Sequence, residues 1–160
     1  MPIVNWRGTT TTWRDRLFGA LVYALPLVDV VGFGGSIFRE LPFLTVLYVP
    51  LLPLIQLYQI PFMSFIIFLV LFLLVVRNSN ISYFIRFNTM QSILISILVS
   101  LCGLVIQYVF QPIGGFVVQT LASTVFLGVV VAAIYSIVQS ALGRLAEIPS
   151  LSEAVHMQVR

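Results

Sequence analysis

LPFLTVLYVPLLPLIQLY, residues 41–58, is the stretch on which the fold turns. It is apolar enough to enter a bilayer, yet Pro42, Pro50 and Pro53 interrupt it and Pro61 follows closely. A proline inside a helix removes a backbone hydrogen bond and crowds the preceding turn, at about 3 kcal/mol or more. In hydrocarbon the released carbonyls meet no water. Four other apolar segments, 17–33, 60–76, 88–110 and 116–142, have no comparable proline density. The arginines decide whether 41–58 is a fifth span. If it does not cross, Arg7, Arg14, Arg16, Arg77, Arg86, Arg144 and Arg160 share one side and Arg39 stands alone on the other. If it crosses, Arg7, Arg14 and Arg16 face the remaining five. Cytoplasmic loops carry the excess of basic residues, so the first division holds. Four spans are expected, with both termini cytoplasmic or stromal and 41–58 a re-entrant or interfacial element.

Composition supports lipid as the solvent. The 160 residues are 60% hydrophobic and 8% charged, with mean hydropathy +1.10. A water-soluble domain carries roughly 25% charged residues. The fold class is therefore all-α, a polytopic integral membrane protein. It divides into a polar N-terminal segment 1–16, one helical bundle 17–142 and a polar C-terminal tail 143–160. The net charge of +3 comes from arginine alone. Arginines at the borders of apolar runs suit topology and anionic lipid headgroups, not nucleic acid. One Cys and one His exclude a disulfide framework and a Cys/His metal cluster, and no cofactor is expected. The first 16 residues are too polar for a signal-peptide core, so the chain reads as mature from residue 1 and inserted by its own first span.

Few residues offer chemistry. Asp29 is the one acid inside a span, where carboxylates are costly and often functional. It reads either as a gate or as an interfacial acid at a helix end. No two acids are spaced for general acid/base work, and no nucleophile motif occurs; enzyme chemistry is not expected. The third span is more informative. Asn88, Ser92, Ser96, Ser100, Gly103, Gln107 and Gln111 fall within about 140° of a helical wheel at 100° per residue. In lipid such a stripe faces protein or water, so these residues either line a path or pack helices. In the fourth span Gly128, Ala132, Ser136 and Ser140 recur every four residues, a spacing that suits close helix packing. Between the second and third spans, Arg77, Asn78, Tyr83, Arg86 and Phe87 form a polar and aromatic loop suited to partner docking. Asn78 and Asn80 can close its turn by side-chain to backbone bonds.

At this loop the chain resembles the Tic twenty-kilodalton subunit family of the chloroplast inner-envelope translocon and its cyanobacterial relatives. Three stretches carry the resemblance. One is Arg77-Asn78 through Ile81-Ser82 into Arg86-Phe87-Asn88-Thr89-Met90-Gln91. Another is Tyr23-Ala24-Leu25-Pro26-Leu27-Val28-Asp29, and the last is Leu51-Leu52-Pro53-Leu54 leading to Tyr58 and Ile60-Pro61-Phe62. The resemblance implies a four-helix subunit of a protein-import apparatus, acting in or organising a translocation path. Its partners would be membrane lipid, other membrane subunits in a hetero- or homo-oligomer, and precursor polypeptides. Its place would be a cyanobacterial plasma or thylakoid membrane, or a plastid membrane. The residues leave a second reading open, a non-catalytic accessory or assembly subunit docked on a larger photosynthetic complex. A small-solute permease is disfavoured, because no paired intramembrane charge or inverted repeat is visible.

Overall fold

A computed structural model describes residues 11–148 and 151–159. Arg7 and Arg160, which enter the charge count, lie outside the described residues, as does most of the segment 1–16. Among the described residues every regular element is helical. The order is α1 (Trp13–Phe33), α2 (Gly35–Glu40), α3 (Pro42–Tyr58), α4 (Met63–Val76), α5 (Tyr83–Ile113), α6 (Gly115–Ala141) and α7 (Leu151–Gln158).

Helices α1, α5 and α6 are each long and apolar enough to cross a membrane. Helix α4 alone runs about 21 Å at 1.5 Å per residue, short of the roughly 30 Å hydrocarbon core. With α3 it forms a pair bent by 104°, the geometry of a broken span or a re-entrant loop, so three to four helices can span. The bend is built locally. Pro61 cannot continue a helix, and Phe62 takes left-handed φ of 63°, where the chain stops one helix and starts another. Within α3 the prolines break the run into short helical pieces, as their missing N–H groups require.

Helix α1 starts at a capping box. Thr12 accepts from the Asp15 amide, and the Asp15 carboxylate accepts from the Thr12 amide. The α4–α5 loop reaches this point, where Ser82 Oγ donates to Asp15 at 3.2 Å. The end of α6 arrives there too. Gly143, at φ 77°, lies so close that a Cβ would come within 2.6 Å of the Thr11 hydroxyl, and the Arg144 amide bonds back to Gln139. Arg14, Arg16, Arg77, Arg86 and Arg144 thus share one end of the bundle, and Arg39 lies beyond the opposite end of α1.

Two apolar clusters hold the bundle. The larger joins Tyr23, Leu27 and Val30 of α1 to Ile95 and Val99 of α5 and Phe126, Val130 and Ala133 of α6. At its far end Phe126 packs edge-on to Phe38 and stacks on Tyr48, tying α2 and α3 to α6. The buried face of α6 runs through Phe126, Val130, Ala133, Ser136 and Ser140, while Gly128 of the expected small-residue row is exposed. The second cluster corrects the picture of the tail. Within the segment read as a polar tail, Val155 of α7 and Val159 just beyond it dock against Val76, Phe87, Met90 and Ile93. Leu151, Val155 and Val159 recur every four residues and make an apolar stripe that Glu147, Glu153 and His156 obscure in the sequence.

Gly19 sits where α1 crosses α5. A Cβ there would lie 2.7 Å from the Phe84 ring and 3.0 Å from the Asn88 amide nitrogen. Phe84 and Asn88 are both buried, so neither can withdraw. Gly19→Val is expected to destabilise the bundle by about 1–3 kcal/mol, measured by denaturant titration of helical circular dichroism in detergent. An unchanged midpoint would show that the α1–α5 crossing is looser than described.

Candidate functional site

The stripe of α5 has two halves with different surroundings. Asn88 and Ser92, on the arginine-rich side, are fully buried. Asn88 Oδ1 accepts from the Tyr23 hydroxyl at 2.8 Å and from Ser140 Oγ at 3.0 Å, while its amide donates to the Phe84 carbonyl at 2.8 Å. Gln91 continues the chain. Its amide donates to Tyr23 Oη at 3.1 Å and to the Ala146 carbonyl at 2.6 Å, and its Oε1 accepts from Ser152 Oγ at 3.1 Å. Ser152 Oγ in turn accepts from the Ile148 amide at 2.6 Å. One directed network therefore links α1, α5, α6 and α7, with each donor matched to an acceptor.

Ser92 answers a different need. Pro26 has no N–H, so the Val22 carbonyl one turn earlier loses its usual helical partner. Ser92 Oγ donates to that carbonyl at 2.6 Å. That carbonyl, which also accepts the Leu25 amide at 3.2 Å, is thus held by a side chain from the neighbouring helix.

The other half of the stripe is open. Ser96 and Ser100 line a cavity of about 320 Å³ between α1, α3, α4 and α5. Ser100, Gly103, Gln107 and Gln111 line a larger groove of about 820 Å³ between α1, α5 and α6. Asp29 borders both. Tyr58 and Ser96 share the lining of the smaller cavity with it. Ser100 Oγ bonds back to the Ser96 carbonyl at 3.1 Å, which leaves its lone pairs toward the cavities. Gly103 lets Phe33 approach, since a Cβ would sit 3.2 Å from its ring. Over Ile106–Phe110 the helix widens into π geometry, carrying Gln107 on the wide turn.

The docking loop needs correction. Arg86 is buried, and its Nε donates to the Val76 carbonyl at the end of α4 at 2.9 Å. Phe87 is wholly buried in the second apolar cluster. Tyr83 hydrogen-bonds and stacks with His156 of α7. These three residues therefore tie α5 to α4 and α7, with Arg86 and Phe87 buried and Tyr83 half-buried. They turn inward because the helix starts at Tyr83, so that Tyr83, Phe87 and Met90 face α7. Arg77 remains exposed, and Asn78 closes the loop by accepting the Asn80 amide at 3.0 Å, as its residue type suggested.

Sequence reasoning missed Tyr23, Gln91, Ser140 and Ser152 as network members. Gln91 lies three residues after Asn88 and shares its side of the helix, a usable signal. Tyr23 and Ser152 come from distant segments, and no periodicity within α5 points to them.

Fold and site together define a polytopic helical membrane protein whose polar residues serve internal packing on one side and an open groove on the other. Among the described residues no group of three or more His, Cys, Asp or Glu side chains could hold a metal ion. Comparison with known proteins names the family. The model described as chloroplast import apparatus Tic20-like matches residues 5–155. A Tic20 family protein of Synechocystis is 53% identical over 96% of this chain and 98% of its own length. Protein TIC 20-v, chloroplastic, of Arabidopsis thaliana is 37% identical over 91% of this chain and 71% of its own. The Tic20 family protein Ycf60 of Porphyra purpurea is 29% identical, over 98% and 81%. The chain belongs to the Tic20 family.

Removing the hub of the network leaves buried partners unpaired. Asn88→Ala is expected to cost about 2 kcal/mol, and Ser140→Ala in the same background should add less than it does alone, because the shared acceptor is gone. A double-mutant cycle read by denaturant titration checks this. Strict additivity would mean that the two side chains do not meet.

Proposed function

We propose that this chain is a membrane-embedded subunit of a protein translocation apparatus in a photosynthetic membrane, with both termini on the cytoplasmic or stromal side. The half of the α5 stripe from Ser96 to Gln107 forms part of the path that an unfolded polypeptide follows. The observation that carries the reading is the groove of about 820 Å³ bordered by Asp29, Ser100, Gly103, Gln107 and Gln111. Polar side chains at that depth require water or protein beside them. A passing polypeptide brings backbone donors and acceptors of its own, which Ser and Gln side chains can match without selecting a sequence. Asp29, at the border of groove and cavity, is placed to act as a gate. A neighbouring subunit closing the open side would complete the path. Family membership supports the same reading, since the matching family model is described as chloroplast import apparatus. The assembly-subunit alternative would dock through apolar faces and the α4–α5 loop, and of that loop Arg86 and Phe87 are buried within the bundle.

Single cysteines test the path in a Cys102→Ala background. Ser100→Cys and Gln107→Cys are expected to react with a membrane-impermeant maleimide in intact membranes and to cross-link to an arrested precursor. Tyr108→Cys, on the outward face of α5, is expected to do neither. Unreactive cysteines at both groove positions, with no precursor adduct, would overturn the proposal.

A further inference from the structure

The smaller cavity has a chemistry of its own. Its polar wall is Asp29, Tyr58, Ser64, Ser96 and Ser100, drawn from α1, α3, α4 and α5, and no residue of α6 lines it. The rest of the wall is apolar, including the rings of Phe65 and Phe68. Asp29 is the single carboxylate of the lining, and no Arg lines the cavity. A carboxylate at this depth is stable only with a proton or a cation beside it.

We propose that this cavity binds a primary ammonium group carrying an apolar tail, with the head on Asp29 and the tail along α4 and α5. Three features select that ligand class. An ammonium has three donors, and the wall offers the Asp29 carboxylate together with the oxygens of Tyr58, Ser64, Ser96 and Ser100, of which Ser96 Oγ is buried with no hydrogen-bond partner among the described residues. The volume of about 320 Å³ matches a small organic ligand and far exceeds the room a bare alkali ion needs. The apolar wall and the rings of Phe65 and Phe68 accept a hydrocarbon tail and favour a cation nearby. The head can come from a free lipophilic amine or from an aminophospholipid. The lining favours the free amine, since a lipid phosphate would find no basic partner there. The site shares Asp29, Ser96 and Ser100 with the proposed path, but its tail-binding wall on α3 and α4 does not line the groove, so binding there can be read whether or not a polypeptide passes.

The test uses the full chain in phosphatidylcholine nanodiscs and a diazirine-bearing alkylamine, with labelled residues located by mass spectrometry. Label is expected on Phe68 and Leu101, displaced by hexylammonium and not by hexanol or sodium at equal concentration. Loss of a charged hydrogen-bond partner in Asp29→Asn should lower apparent affinity about tenfold or more, and Ser96→Ala should lower it roughly threefold. Leu101→Trp adds bulk to the apolar wall while leaving the carboxylate in place and should reduce the label on Phe68, which keeps the test decisive if Asp29→Asn fails to fold. Exchanging half of the lipid for phosphatidylethanolamine separates the two sources; competition there supports the site with lipid as the ligand, and none supports the free amine. Equal labelling of folded Asp29→Asn, or equal displacement by hexanol or by sodium, would overturn the proposal.

Discussion

In a bilayer every backbone carbonyl released from a helix has to find a donor within the protein, and this constraint organises the bundle. At three of the breaks in the chain a side chain of α5 supplies a donor. Ser92 binds the Val22 carbonyl, which Pro26 deprives of its i+4 donor and which otherwise accepts only the Leu25 amide, Arg86 binds the Val76 carbonyl at the end of α4, and Gln91 binds the Ala146 carbonyl beyond α6. Helix α5 is therefore a rail of donors along which the other elements are registered. Apolar packing supplies area, as Phe126 and Val130 show, but lipid is as apolar as leucine and cannot set helix order by that means alone.

The same constraint explains why the stripe divides. Toward the arginine-rich end the side chains of α5 meet backbone and side-chain partners on α1, α6 and α7, and the interior there is filled. Toward the far end α1 stops at Phe33 and the chain turns away through α2 and the bent α3–α4 pair. Fewer helices then surround α5, and Ser96, Ser100, Gly103 and Gln107 border open space. The closed end gives the bundle its stability, and the open end gives it surfaces on which chemistry from outside can act.

How much of this was legible in the sequence varies by element. The four-residue recurrence of Asn88, Ser92, Ser96 and Ser100 marks one helix face, and that face is polar along its length. Prolines at 42, 50 and 53 mark a broken segment, and broken it is. Arg86 and Phe87 misled, because a basic and aromatic loop at a helix start looks identical whether it faces solvent or an unseen helix. That helix is α7, whose short apolar stripe is diluted by charged neighbours. Tyr23, Asn88 and Gln91 stand in stretches that suggested the family, yet their meeting depends on α1 and α5 crossing at one height.

Composition and arginine placement by themselves determined that this is a polytopic helical membrane chain, since hydropathy and charge bias act locally along a sequence. The three stretches of family resemblance, likewise read along the chain, named the Tic20 family that the comparisons show. Which polar residues are satisfied and which stay open was decided by the tertiary structure alone. A hydroxyl at position 92 and one at position 100 are chemically identical, and only the helices brought beside them make one a buried strut and the other the wall of a cavity.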